Sequence, residues 1–438
     1  MQFAQAQAYL LGTINETASR RTPNRLDRMI ALLEALGNPQ ARYPTIHVGG
    51  TSGKGSTSTM AAAALQAAGK KTGLHVKPHL SSVTERARIA GLAISEERFG
   101  EILGEMMSAI ESVAAVHGRA SYYETLLALA FVYFAQEQVD IAVIEVGIGG
   151  KLDGTNVLHP LVSVITNVAL DHTDVLGDTP AEIAADKVGI AKPRIPLVSD
   201  VTDRAARAVI EEGCRVAGAP FVSVRDTVKL AVRSGERYGQ SFSVTTPEAT
   251  YDLSLPVLGS FQQRNAATAI RALEFLPAGL RPDRADIEMG LSRLVIPGRM
   301  EFFPSHPAVV FDIAHNPDKA AHLAAALRET FPDRRFALVI AVGQSKDAAH
   351  VIEPFIGLPG TFTFTSFETD GREPIRPQRL ASIARELGVW GRAITDPVEA
   401  FSVARRNADA EDIVVVTGST FVVSTLRDWW LTHVANRV

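Results

Sequence analysis

The 438 residues, 46% hydrophobic and 21% charged, are enough to build the cores of two or three domains. A formal net charge of -4 without any basic run argues against a nucleic-acid partner, and a single cysteine, Cys214, excludes internal disulfides and thiolate zinc clusters. No apolar run reaches membrane-spanning length and the first eleven residues lack a secretory pattern, so no membrane partner and a cytoplasmic location are expected.

Leu26, Met29, Ile30, Leu33 and Leu36 recur at helical spacing until Gly37-Asn38-Pro39 ends the run. The cluster Arg20, Arg21, Arg25 and Arg28 reads either as a solvated helix face or as a surface for an anionic ligand. Next, an apolar strand over 46–48 runs into Gly49-Gly50-Thr51-Ser52-Gly53-Lys54-Gly55-Ser56-Thr57 and an alanine-rich helix. This is the layout of a phosphate-binding loop, in which glycines let backbone N–H groups approach phosphate oxygens. Lys54 adds a point charge, and the hydroxyl of Ser56 or Thr57 is suited to Mg²⁺. Gly55, between Lys54 and Ser56, departs from the common Gly-x-x-x-x-Gly-Lys-Ser/Thr spacing.

A second strand over 72–76 delivers Lys77-Pro78-His79-Leu80 to a carboxyl end, where open α/β sheets bind ligands. Two helices follow over 95–138. The strand over 141–145 ends on Glu145, a carboxylate placed to hold Mg²⁺ or orient water, before the tight turn 146–150. The strand over 161–166 leads to Asp171, His172 and Asp174 just past its carboxyl end, which makes His172 a candidate for a metal or phosphate role. Thr179-Pro180-Ala181-Glu182 opens a helix that carries Asp186 and Lys187. A strand over 195–198 completes at least five, and this βα alternation predicts a parallel sheet covered on both faces. Residues 221–258 change to short alternating runs, expected to form a small antiparallel β subregion. Pro297-Gly298-Arg299 marks a boundary, giving domains 1–296 and 297–438. Beyond it βα alternation restarts, with Asp312-Ile313-Ala314-His315 following a strand.

In order and spacing these motifs resemble folylpolyglutamate synthase and dihydrofolate synthase, the folate branch of the ATP-dependent Mur ligases. The landmarks are residues 47–57, Pro78-His79-Leu80 with Thr84-Glu85-Arg86, 145–156, Leu170-Asp171-His172-Thr173, Asp186-Lys187 with Gly189-Ile190, Gln262 with Asn265, Pro297-Gly298-Arg299, and Asp312 with Ala314-His315-Asn316-Pro317. The resemblance implies an α/β protein: a P-loop, parallel-sheet ATPase domain with a small antiparallel β subregion, and a smaller C-terminal Rossmann-like domain. It implies a monomer that uses ATP and one or two Mg²⁺ ions to join L-glutamate to a pteroate or folate carboxylate through an acyl phosphate. The extra Gly55 is what these ligases usually have.

By the same resemblance Thr51, Ser52, Gly53, Lys54, Gly55, Ser56, Thr57, Asn265, Arg299, Asp312 and His315 meet ATP. Ser56, Glu145, His172 and a carbamylated Lys187 hold metal; Lys54, His172, Lys187 and Arg299 carry the chemistry. Arg28, His79, Tyr122, Tyr123, Glu124 and Asp153 border the pteroate site. The chain departs from the family pattern at Ser52 (usually Asn), Lys151 (Arg), Phe261 (His), Ile313 (Gly) and Lys77, where a serine usually helps bind magnesium. Two alternatives stay open at this point: a ligase acting on a non-folate carboxylate, and a nucleotide-binding protein without catalysis.

Overall fold

The computed structural model describes residues 1–13, 25–171, 173–236, 239–369 and 373–435. Arg20, Arg21 and His172 fall outside them. Two compact units are present: residues 1–234 with 241–254 and 262–294, and residues 235–240 with 255–261 and 295–438.

The first unit is built on a sheet of eight strands: β1 (Thr45–Gly49), β2 (Thr72–His75), β3 (Arg88–Ile89), β4 (Leu92–Ala93), β5 (Ile141–Glu145), β6 (Val162–Ile165), β7 (Leu197–Ser199) and β8 (Phe221–Ser223). Their order is β4-β3-β2-β5-β1-β6-β7-β8. From β2 to β8 every pairing is parallel, and β3 and β4 add an antiparallel edge. All residues of β1 and β5 are buried, as expected of parallel strands covered on both faces. One apolar layer is supplied by helices Glu96–His117 and Tyr122–Gln136, through Phe99, Leu103, Leu127 and Phe131. Another gathers Ile165, Ile183, Ile190, Ile210 and Cys214.

The strand order fixes where a ligand belongs. The chain leaves β1 toward β2 on one side, and β5 connects to β6 across β1. The carboxyl end of β1 is therefore a switch point of the sheet, and the glycine-rich loop starts there.

Phe221–Ser223, read from sequence as the start of the β subregion, is instead the eighth strand of the large sheet and pairs in parallel with β7. A three-residue strand carries too little period-two signal to be told from a neighbouring β region. The separate sheet is β11-β10-β9, formed by β9 (Lys229–Glu236), β10 (Gly239–Thr245) and β11 (Thr250–Leu255).

The second unit holds the six-stranded sheet β12-β13-β17-β14-β15-β16. Its strands are β12 (Glu301–Phe303), β13 (Ala308–Phe311), β14 (Phe336–Ile340), β15 (Gly360–Phe364), β16 (Gly391–Ala393) and β17 (Ile413–Thr417). All pair in parallel except β12 on β13. Val310, Leu338, Ile340 and Val415 pack with Leu323 and Leu327 of helix Pro317–Thr330 in its core. Among the described residues no helix is long and apolar enough to cross a membrane.

Candidate active site

The loop after β1 turns through Gly50 at φ 130° and Gly53 at φ 80°, a region that side chains rarely adopt. Space as well as conformation demands glycine at both positions. A Cβ on Gly50 would run into the Thr166 hydroxyl, and one on Gly53 into the carboxamide oxygen of Asn265. The segment after β6 laces the loop in place. The Thr51 N–H donates to the Asn167 carbonyl (3.0 Å), the Ser52 N–H to the Asn167 side-chain oxygen (2.7 Å) and the Thr166 hydroxyl to the Ser52 carbonyl (2.6 Å). This stretch reads from sequence as a source of metal or phosphate ligands. In the fold its first residues support the loop, a role that only the β1–β6 pairing reveals.

Two amines converge on one oxygen. Lys54 Nζ donates to the carbonyls of Gly50 and Thr51, both at 2.9 Å, and Lys187 Nζ donates to the same Gly50 oxygen at 3.0 Å. Lys187 is buried, and burial pushes its amine down to about 8 against the opposing pull of Asp186 and Asp171. Asn265 donates from Nδ2 to Gln262 Oε1 at 2.8 Å, which fixes the carboxamide facing Gly53.

Glu145 ends β5 opposite Val48 of β1 and is only 3% exposed. One of its oxygens accepts the Lys77 N–H at 3.0 Å, and a Cβ on Gly55 would sit 3.4 Å from that oxygen. The carboxylate therefore abuts the first turn of helix Lys54–Ala67 at Gly55, whose chain neighbour Ser56 is buried. Ser56 and Glu145 are hard oxygen donors next to a phosphate loop. That set fits Mg²⁺, which takes one or two protein ligands and keeps the rest of its shell as water and phosphate. Among the described residues no group of three or more His, Cys, Asp or Glu side chains is close enough to hold a metal. The Lys77 amine is pushed down by burial while Glu145 pulls it up.

The residues expected near the acceptor substrate fall into three groups. Arg28 grips Glu124 with three contacts of 2.8–3.1 Å, and Glu124 also caps its helix by accepting the Ser121 N–H at 2.8 Å. Asp153 accepts from Tyr123 OH (3.1 Å), Thr155 Oγ1 (2.6 Å), Thr155 N–H (3.0 Å) and Ile148 N–H (2.9 Å). Burial pushes the Asp153 carboxyl up, but these bonds outweigh it and hold the group below its usual range. Because Thr155 Oγ1 gives its proton to Asp153, it accepts from His47 Nε2 at 2.8 Å. His47 Nδ1 is left buried without a partner, and burial brings this imidazole down to about 4. Nearby in sequence to Lys77, Arg86 donates to His79 Nδ1 at 2.9 Å and stacks over Tyr122.

In the second unit, Asp312 follows β13 and is buried. Its oxygens accept the N–H groups of Met300 (2.9 Å) and Ala314 (2.8 Å), so it ties the Pro297–Arg299 turn to the strand end. His315 donates from Nδ1 to the Ile313 carbonyl at 2.8 Å, leaving Nε2 as an acceptor, and burial lowers the ring to about 3.

Residues 48–273 match the profile of the Mur ligase middle domain, and residues 298–420 that of the Mur ligase, glutamate ligase domain. The chain is 32% identical over 415 residues to the Bacillus subtilis dihydrofolate synthase/folylpolyglutamate synthase, covering 92% of this chain and 94% of that one. It superposes on the Mycobacterium tuberculosis folylpolyglutamate synthase complexed with ADP with a TM-score of 0.88 at 29% identity, over 98% of both chains. For Escherichia coli FolC in complex with DHPP and ADP the TM-score is 0.86 at 27% identity, over 99% of this chain and 98% of that one. A glycine-rich loop at the switch point, two lysines on its carbonyl and both profiles in sequence lead to one assignment: the chain belongs to the folylpolyglutamate synthase/dihydrofolate synthase family of Mur ligases.

Proposed function

We propose that this protein is an ATP-dependent ligase that adds L-glutamate to dihydropteroate, to a reduced folate, or to both. The observation that carries the reading is the convergence of Lys54 and Lys187 on the Gly50 carbonyl, with the Glu145 carboxylate against the first turn of the following helix. Phosphoryl transfer needs mainly alignment and charge neutralisation, and such a loop provides both. Lys54 exchanges its loop carbonyls for phosphate oxygens when nucleotide enters. Ser56 and Glu145 would hold Mg²⁺, whose charge neutralises the phosphates when it is bound. An oxygen of the acceptor carboxylate attacks the γ-phosphorus and ADP leaves. The glutamate amine then attacks the acyl carbon, phosphate departs with the transferred oxygen, and a proton is released as the amide forms.

Lys187 enters this reading as a carbamate. Carbon dioxide adds only to a neutral amine, and an amine held near 8 keeps a substantial neutral fraction at physiological pH. Arg299, Asp312, His315 and Asn265 are proposed as further ATP contacts, and His172 as a metal ligand. Arg28, His79, Tyr122, Tyr123, Glu124 and Asp153 are proposed to border the acceptor site, with the Arg28–Glu124 pair fixing one helix on another. The division at 296/297 is proposed as the functional domain boundary, and the protein as a cytoplasmic monomer.

The test is phosphate release from ATP with Mg²⁺, bicarbonate and L-glutamate, with dihydropteroate or tetrahydrofolate as acceptor. Release that requires both acceptor and glutamate supports the assignment. No release with either pterin, followed by turnover on another carboxylate, would replace the folate acceptor; nucleotide binding without turnover on any acceptor would remove the ligase reading.

A further inference from the structure

The Thr84-Glu85-Arg86 landmark has no part in the chemistry above, yet Glu85, the one carboxylate between β2 and β3, has four partners. It accepts the N–H groups of Leu80 (3.0 Å), Ser81 (2.8 Å) and Ser82 (2.9 Å), and pairs with Arg88 at 3.3 Å. Capping of the short helix Val83–Arg86 explains one of these bonds, the return from Glu85 to the Ser82 N–H. The bonds to Leu80 and Ser81 lie outside the cap and fold residues 80–82 around the carboxylate.

The segment between β2 and that turn is Val76 to His79, held at both ends. At one end the Lys77 N–H reaches Glu145. At the other, Arg86, next to Glu85 in the chain, donates to His79 Nδ1. Since Nδ1 accepts, the neutral ring carries its proton on Nε2 and offers a donor there.

We propose that Glu85 is a positioning residue for the acceptor substrate: by anchoring residues 80–82 it sets His79 as a neutral Nε2–H donor and keeps the Lys77 N–H on Glu145. This inference rests on the ligase reading. Glu85 acts through its neighbours, so its loss changes acceptor recognition more than nucleotide use.

Glu85→Gln keeps the size of the side chain but turns one acceptor oxygen into a donor facing a backbone N–H. In Glu85→Gln the KM for the pterin acceptor is expected to rise about tenfold, with the KM for ATP within twofold of wild type. Amide hydrogen exchange in the ligand-free protein is expected to accelerate at Leu80–Ser82 and at Lys77, and not in β1 or β5. His79→Gln, which can place an amide N–H near the Nε2 position, is expected to retain more acceptor affinity than His79→Asn. An unchanged acceptor KM together with unchanged exchange at 77–82 overturns the proposal, as does an equal rise in both KM values, the mark of a general loss of structure. Wild-type protein without acceptor-dependent turnover overturns the ligase reading and this inference with it; that failure is distinguishable because it precedes any variant.

Discussion

The buried amine of Lys187 donates to the carbonyl oxygen of Gly50, 3.0 Å away, across 137 residues of sequence. Lys54 shares that oxygen at 2.9 Å. A carbonyl that accepts from both lysines brings the two amines together at the glycine-rich loop.

Lys54→Ala is expected to lower kcat/KM for ATP by about 100- to 1,000-fold, the usual effect of removing one preorganised charge from a transition state. Its thermal stability should stay near wild type, because the Gly50 carbonyl left behind still accepts from Lys187. Steady-state phosphate release and a melting curve check the two halves.

Gly53→Ala introduces a Cβ where φ is 80° and where the Asn265 carboxamide already sits. Left-handed strain of about 1–2 kcal/mol and a displaced Asn265 should weaken nucleotide binding on the order of tenfold. Adding Asn265→Ala to that variant should cost less than in the wild-type background, since the two residues collide. Titration calorimetry with ADP across the four proteins measures this non-additivity.

Glu124 is 2% exposed at its side chain and carries the Arg28 guanidinium, itself 15% exposed. Glu124→Ala leaves that cation unpaired, with an expected loss of about 3 kcal/mol in unfolding free energy. The Arg28→Ala/Glu124→Ala double variant should be more stable than the Glu124 single variant in urea denaturation.

His47 predicts a pH effect on stability. Burial holds the folded ring at about 4, with Asp153 opposing and Lys192 reinforcing the shift, against an ordinary value of 6.5. Between these values the unfolded chain binds the extra proton, so stability falls as pH drops from 6.5 toward 4, by about 1.4 kcal/mol per pH unit for this group. His75, also buried and held at about 4, adds a second contribution of the same sign. His47→Gln, which can still donate to Thr155, should flatten the slope by about one proton, as read from denaturation midpoints at pH 4.5, 5.5 and 6.5.

How much of the fold and site was legible in the sequence follows from how local each feature is. The phosphate loop was, because strand, glycines, lysine and helix lie within 25 residues and each has its own chemical signature. So was β5 ending on Glu145, and the capping box of Thr179 with Glu182 appears in the structure as read. The partners of those residues were not legible. Arg28 meets Glu124 across 96 positions through the packing of two helices, and Glu145 meets Lys77 across 68 because β2 lies beside β5. Glu85 stood in the motif, but its three amide partners depend on how the chain folds back over 80–82. The short strands β3, β4 and β16 escaped notice because two or three residues cannot display a period.

The most direct test of the central claim follows the oxygen. With the acceptor carboxylate labelled with oxygen-18, one turnover with ATP and unlabelled L-glutamate should deliver one labelled oxygen to the released phosphate, because the attacking oxygen leaves with it when the amide forms. Glutamate-dependent product whose released phosphate carries no label would contradict an acyl-phosphate route, and with it the proposed roles of Lys54 and Lys187.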